Sequence, residues 1–179
     1  MPYTPPPDLA TLSLAEIARL NAERRLPPVE QWNPASSGDS LMVIKADGRW
    51  FHDGGEIRRP AMVRAFAGLL RRDEQGQHWL VTPFEQQSIA VEDAAFIATD
   101  VVMQDGALVF RLNTDEVVVA GPDHPLVARG DAELPALYLA VRHGCEARIN
   151  RSTWLQLVDL AEADLTVTSQ GARFSLVPV

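Results

Sequence analysis

Apolar residues follow a helical period in three short stretches of the chain and a strand period between them. The first helical stretch opens at Ser13-Leu14-Ala15-Glu16, a capping box in which the serine hydroxyl takes a first-turn N–H and the glutamate reaches back. Leu14, Ile17 and Ala18 then fall on one face of a helix predicted to run to about residue 25. Pro27-Pro28 ends it, and the stretch through Trp32-Asn33-Pro34 reads as an extended arm across the body. Strands are predicted at 41–45 and 49–52 around Asp47-Gly48, a hairpin turn because glycine tolerates positive φ. Asp53-Gly54-Gly55 turns the chain again, and Pro60 opens a second helix at its favoured first position. Met62, Val63, Phe66, Leu69 and Leu70 give that helix an apolar face through about residue 72. A strand at 78–82 stops at Pro83.

From about residue 86 the pattern is rich in strands, predicted at 88–91, 95–103, 107–112, 116–120, 136–141 and 145–149, with a tight turn at Asp105-Gly106. A third helix over 152–163 is expected to bury Leu155, Val158 and Trp154, and strands at 165–168 and 172–177 flank Ser169-Gln170-Gly171. Core packing accounts for Trp50, Trp79, Phe96 and Phe110. The segments QGQHWLVTP at 75–83 and QGARFSLVP at 170–178 match in length and in the Gln-Gly, aromatic and proline positions. Upstream of each, Ile57-x-Arg59 and Ile149-x-Arg151 precede a helix. The shared order predicts a duplicated helix–strand unit, 57–83 and 149–178, with Arg59 equivalent to Arg151.

The fold class that follows is α+β, with two strand-rich halves containing the repeated unit. The expected division is an N-terminal helix and arm at 1–35, an N-terminal α+β half at 36–84 and a C-terminal half at 85–179. Duplicated halves create a cleft where they meet, and ligand pockets favour such interfaces.

Charge narrows the partners. The net charge of −8 disfavours general nucleic-acid binding, since an acidic surface repels phosphate backbones. One lysine stands against fifteen arginines, so nearly every cation is a planar guanidinium able to grip an oxyanion with two hydrogen bonds. Cys145 is the sole cysteine, which excludes an intrachain disulfide and a cysteine-based zinc site. The N-terminal sequence lacks signal-peptide features and no apolar run is long enough for a membrane span, so a cytoplasmic protein without membrane partners is expected.

Arg59 and Arg151 lead the candidates, because each sits at a predicted helix N-terminus whose partial positive charge disfavours a cation unless an anion is near. Each either joins an anion site or pairs internally, for instance with Glu56 or Glu146. Arg111, Arg142 and Arg148, on strands or strand ends, are further candidates, with Trp50 as an aromatic neighbour. His52-Asp53 and Asp123-His124 are the His–Asp neighbours, and turn chemistry explains both pairs as well as acid–base chemistry does. Glu92, Asp93, Asp100, Asp115 and Glu116 lack calcium-loop spacing, and no metal, cofactor or catalytic residue is assigned. A buried, inert thiol is expected at Cys145.

DGRWFHDGGEIRR at 47–59, WLVTPFEQQSIAVEDAAF at 79–96, FRLNTDEVV at 110–118, DHPL at 123–126 and VRHGCEARINRSTW at 141–154 together resemble an uncharacterised bacterial protein family of unknown function. That resemblance implies a duplicated core, a C-terminal half similar to pleckstrin-homology-like folds, and a nucleotide-like ligand between the halves in a signalling role. Three classes of function follow: a small-molecule binding or sensing protein for an anionic ligand, a hydrolase of phosphorylated or nucleotide substrates using His52, Asp53 and His124, or a protein-interaction adaptor.

Overall fold

The computed structural model describes residues 9–24 and 26–179. A 3-10 turn at Leu9–Thr11 precedes α1 (Leu14–Glu23), and another at Val29–Gln31 precedes β1 (Ser36–Ile44). Then come β2 (Trp50–His52), β3 (Gly55–Glu56), α2 (Pro60–Ala67), β4 (Leu70–Arg72), β5 (His78–Val81) and β6 (Glu85–Val91). The second half holds β7 (Phe96–Gln104), β8 (Ala107–Leu112), β9 (Val117–Val119), β10 (Leu126–Gly130), β11 (Pro135–Arg142) and β12 (Cys145–Ile149). α3 (Arg151–Leu160) and the hairpin of β13 (Thr166–Ser169) and β14 (Ala172–Ser175) close the chain.

The fold is α+β with two similar halves. The first sheet runs β3-β2-β1-β6-β5-β4, and the second, read from its far edge, runs β9-β8-β7-β12-β11-β10. In each, the first and last strands of the set lie side by side in parallel at the centre, and the other pairs are antiparallel. The repeat is therefore a six-strand unit, β1–β6 against β7–β12.

The repeat expected from sequence is shorter and out of phase with this. Helix followed by hairpin does occur twice, as α2 with β4–β5 and α3 with β13–β14. Yet β4 and β5 belong to the six-stranded sheet, whereas β13 and β14 form a sheet of their own. α2 fills the β3–β4 connection, whose counterpart between β9 and β10 is a short turn bridged at Gly121 and His124. The expected boundary at 84/85 also falls one strand early, because β6 pairs with β1 in the first sheet. Pro83 ends β5 locally, but only the non-local parallel pairing shows where β6 goes.

Other differences are local. α2 stops at Ala67 with Gly68 as its C-cap, so Leu70 serves a strand instead of a helix face, and Met62 is exposed. α3 buries Thr153 and Leu157, while Trp154 and Val158 pack at its flank and Leu155 is 50% exposed. In α1 the Ser13 hydroxyl accepts the Glu16 N–H at 3.2 Å and Ile17 is buried, but Ala18 is exposed. The predicted end of that helix at Arg25, and residues 1–8, lie outside the described residues.

One core spans both sheets. Ile44, Trp50, Leu70 and Ile89 of the first half pack with Phe96, Leu108, Phe110, Leu112 and Leu139 of the second. Polar ties cross the same seam. The Arg72 N–H donates to the His143 carbonyl at 2.9 Å, and the Arg142 guanidinium donates to the Ala67 carbonyl at 3.2 Å.

Two histidines at this seam make stability depend on pH. Burial, aided by the Arg72 charge, holds His78 below its ordinary value, and burial does the same to His143 despite Glu30. The unfolded chain therefore binds protons that the folded chain resists. Stability is full above the unfolded value of about 6.5 and falls as pH drops below it. Urea midpoints taken between about pH 7.5 and 5.5 are expected to decline, less steeply in His78→Gln; an identical decline in that variant would remove His78 from the account.

Candidate functional site

A hollow of about 550 Å³ lies on the seam, within the usual size of ligand pockets. Its wall from the first half is the β1–β2 turn, Ala46 and Asp47; its wall from the second comprises Ile97 and Thr99 of β7, Asn113, and the run Arg148-Ile149-Asn150-Arg151. Asp93, in the connection between the sheets, completes it. Gly48 brings the two walls together: a Cβ there would stand 2.8 Å from Ile97 Cγ1 and 2.9 Å from Asn113 Nδ2. Asn113 is itself fixed, its Oδ1 accepting the Ile97 N–H at 3.0 Å and its own N–H donating to the Ile97 carbonyl at 2.8 Å.

Strand alternation aims the arginine. In β12 the residues Cys145, Ala147 and Ile149 are buried, so Glu146 and Arg148 point the other way. Asn150 then breaks the strand by capping α3, its side chain accepting the Thr153 N–H at 2.9 Å. Arg148 and Arg151 thus flank a strand-to-helix corner and face one hollow.

The carboxylates in this hollow are already committed. Arg148 Nη1 donates to Asp93 Oδ2 at 3.1 Å and to the Tyr138 hydroxyl at 3.2 Å, with the guanidinium 5.4 Å from the Tyr138 ring centroid. The Tyr138 hydroxyl donates to Asp93 Oδ1 at 2.6 Å, and burial together with that carboxylate raises the phenol above its ordinary value. Asp47 accepts the Arg49 N–H at 3.1 Å and Arg49 Nε at 2.8 Å, and these bonds hold its carboxyl below the usual range. Nη2 and Nε of Arg148 keep no protein partner among the described residues, and exposed Arg151 has no ion pair or side-chain hydrogen bond among them. The hollow accordingly offers guanidinium donors beside a helix N-terminus, suited to a small oxyanion.

Two further hollows adjoin this one. One of about 330 Å³, beyond the Gly48–Asn113 contact, is lined by Trp50, Glu56, Arg58, Val63, Arg64, Thr114 and Asp115 among others. Trp50 is buried there, its ring stacked on Phe66 with centroids 6.4 Å apart. The other, about 380 Å³, shares Arg148, Ile149 and Arg151 with the first and adds Leu134, Pro135, Leu137, Trp154 and Leu155.

Of the candidates named from sequence, Arg148 and Arg151 come together. Arg59 is the exposed residue capping α2 and lines none of the three hollows, so it does not share a site with Arg151. Arg142 is taken up by an ion pair with Glu116 and stacks over Phe96 at 5.0 Å. Arg111 lies on β8 opposite Asp100 and lines none of the hollows. His52 is exposed at the end of β2, and His124 sits in a turn with Nδ1 3.0 Å from the Ala140 carbonyl oxygen; no histidine lines any of the three. The acidic residues scatter to separate partners, Glu92 to Lys45, Asp93 to Arg148, Asp115 to Arg64 and Glu116 to Arg142, and no metal-type cluster of three forms among the described residues. Burial pushes the Cys145 thiol up to about 12, so it is not a nucleophile at neutral pH. Tyr138 and Asn150 were missed; the second had a readable signal, an Asn two residues before the predicted helix start.

Residues 27–94 match the model described as "Domain of unknown function (DUF1285), N-terminal domain", and residues 95–176 the one described as "Protein of unknown function (DUF1285), C-terminal domain". The chain is similar to the crystal structure of a DUF1285 family protein from Silicibacter pomeroyi, 39% identical, covering 93% of this chain and 96% of that one, with a TM-score of 0.79. It shares its fold with a DUF1285 family protein from Shewanella baltica, 21% identical, over 67% of this chain and 91% of that one, with a TM-score of 0.56. No curated protein matches it. No helix among the described residues is long and apolar enough to cross a membrane.

Proposed function

The chain belongs to the DUF1285 family, of unknown function, and from its own geometry we propose that it binds a small anionic ligand in the seam hollow as a cytoplasmic binding or sensing protein. The observation that carries this reading is the convergence of Arg148 and Arg151 beside the N-terminus of α3, with Arg151 lacking any internal carboxylate among the described residues. Because Asp47 and Asp93 are each held by another arginine or by Arg148 itself, Arg151 is the cation left over for a ligand. A hollow walled by both halves also couples occupancy to the relation between them, which is what a sensor needs. A hydrolase using His52, Asp53 and His124 would need them in the hollow, and none of the three lines it.

Isothermal titration of the full chain with inorganic phosphate and with AMP tests this reading. Arg151→Ala is expected to weaken the bound anion by about 1.5–3 kcal/mol, the scale of hydrogen bonds to charged groups, with little change in Tm because the side chain is exposed. Unchanged affinity in that variant would overturn the assignment.

A further inference from the structure

We infer that the anion held by Arg148 and Arg151 carries a hydrocarbon body that lies between α3 and the β10–β11 turn; the inference rests on the seam reading above and names its ligand class. The polar hollow and the 380 Å³ hollow share Arg148, Ile149 and Arg151 in their linings, so a head group on the guanidiniums lies beside the second space. Beyond the arginines that space is walled by Leu134, Pro135, Leu137, Trp154 and Leu155, with Glu133 the remaining polar residue. The Trp154 indole N–H is directed to the Leu176 carbonyl at 3.4 Å and does not serve the hollow. A nucleobase placed there would lose water from its edge donors and acceptors with Glu133 the one polar side chain beyond the arginines to replace it, whereas an alkyl or aryl group has no hydrogen bonds to lose.

The walls are themselves unexplained by packing. Leu134 is 80% exposed and Leu155 is 50% exposed, although α3 has a buried face that would take a leucine one or two positions away. Leu134 is also held in place: Asp131 Oδ1 accepts the N–H groups of Glu133 at 3.0 Å and Leu134 at 2.8 Å, which clasps the turn. Two large apolar side chains, one from the β10–β11 turn and one from α3, thus line a hollow that carries two cations. The complementary partner is an amphipathic anion, and the size of the space suits a body of one or two rings.

Titrations of the full chain with inorganic phosphate, AMP and 1-naphthyl phosphate test this. Naphthyl phosphate is expected to bind at least about tenfold more tightly than either of the others, an increment in keeping with apolar burial. Leu155→Ser and Leu134→Ser, both at exposed positions and both neutral at the rim, are expected to remove that advantage while leaving phosphate affinity and Tm in place. Phosphate binding with no preference for the aryl ester, or a preference untouched in both serine variants, would overturn the hydrocarbon body while leaving the anion reading standing. Failure of all three ligands to bind would remove both. Co-sedimentation with phosphatidylglycerol vesicles, without binding of naphthyl phosphate, would move the site to a membrane surface and overturn the free ligand.

Discussion

Gly144→Ala is expected to lower the stability of the whole chain by about 3 kcal/mol, from two contributions of similar size. Gly144 is the second residue of the His143-Gly144 turn between β11 and β12 and has φ +77°. Left-handed backbone costs a residue with a Cβ about 1–2 kcal/mol. The added methyl would also stand 2.6 Å from the Arg72 carbonyl oxygen and 3.3 Å from Arg72 Cβ, contacts that neither backbone can yield without moving. Overpacking of that kind costs about 1–3 kcal/mol, and the shift strains the hydrogen bond from Arg72 N–H to the His143 carbonyl across the seam. Gly171 is the internal control: it has φ +78° but nothing within 4 Å of its would-be Cβ, so Gly171→Ala should lose the conformational part alone. Urea unfolding followed by tryptophan fluorescence separates the two variants. Equal losses would mean that β4 and the β11–β12 turn are not tightly apposed. Because one core spans both sheets, the loss should appear as a shifted midpoint in one transition.

What the sequence disclosed about this fold was local. Asp47-Gly48, Asp105-Gly106 and Gln170-Gly171 mark turns because their backbone chemistry is settled by the two residues themselves, and Pro60 marks the start of α2 for the same reason. Alternation placed β7, β8, β11 and β12 within a residue or two of their observed limits. The parallel pairings of β1 with β6 and of β7 with β12 leave no trace in local pattern, and they set the boundary between halves and the true length of the repeat. β4 was hidden inside an apolar run that continues the α2 pattern; Gly68 ends the helix there, and Leu70 answers to Leu80 across the strand pair. At the site, the sequence placed Arg59, at a helix N-terminus, ahead of Arg148 on a strand. What distinguishes them is a tyrosine from β11 and an aspartate from the inter-sheet connection, both brought to Arg148 by tertiary structure.

Glu116→Ala is expected to be the most damaging substitution at the seam, at about 3–5 kcal/mol, the scale for removing one partner of a buried pair. The Glu116 side chain is 6% exposed and its carboxylate receives both terminal nitrogens of Arg142 and one of Arg24, the latter at 3.2 Å. Arg142 is the committed partner: it is 14% exposed, stacks over Phe96 and donates to the Ala67 carbonyl at the end of α2. Deleting the carboxylate leaves that guanidinium in a place with little water to replace the lost charge. Arg24, 30% exposed, can turn to solvent and adds little to the loss. The charge itself, however, is not what the fold requires. Glu116→Leu with Arg142→Met removes both ions, fills the space with apolar atoms, and leaves the Ala67 carbonyl as the main group without its donor, so the double variant should recover most of the stability lost by Glu116→Ala. A double-mutant cycle gives the coupling directly. A coupling below about 1 kcal/mol, the range of exposed pairs, would show that water reaches Arg142 and that the seam is held by the shared apolar core alone.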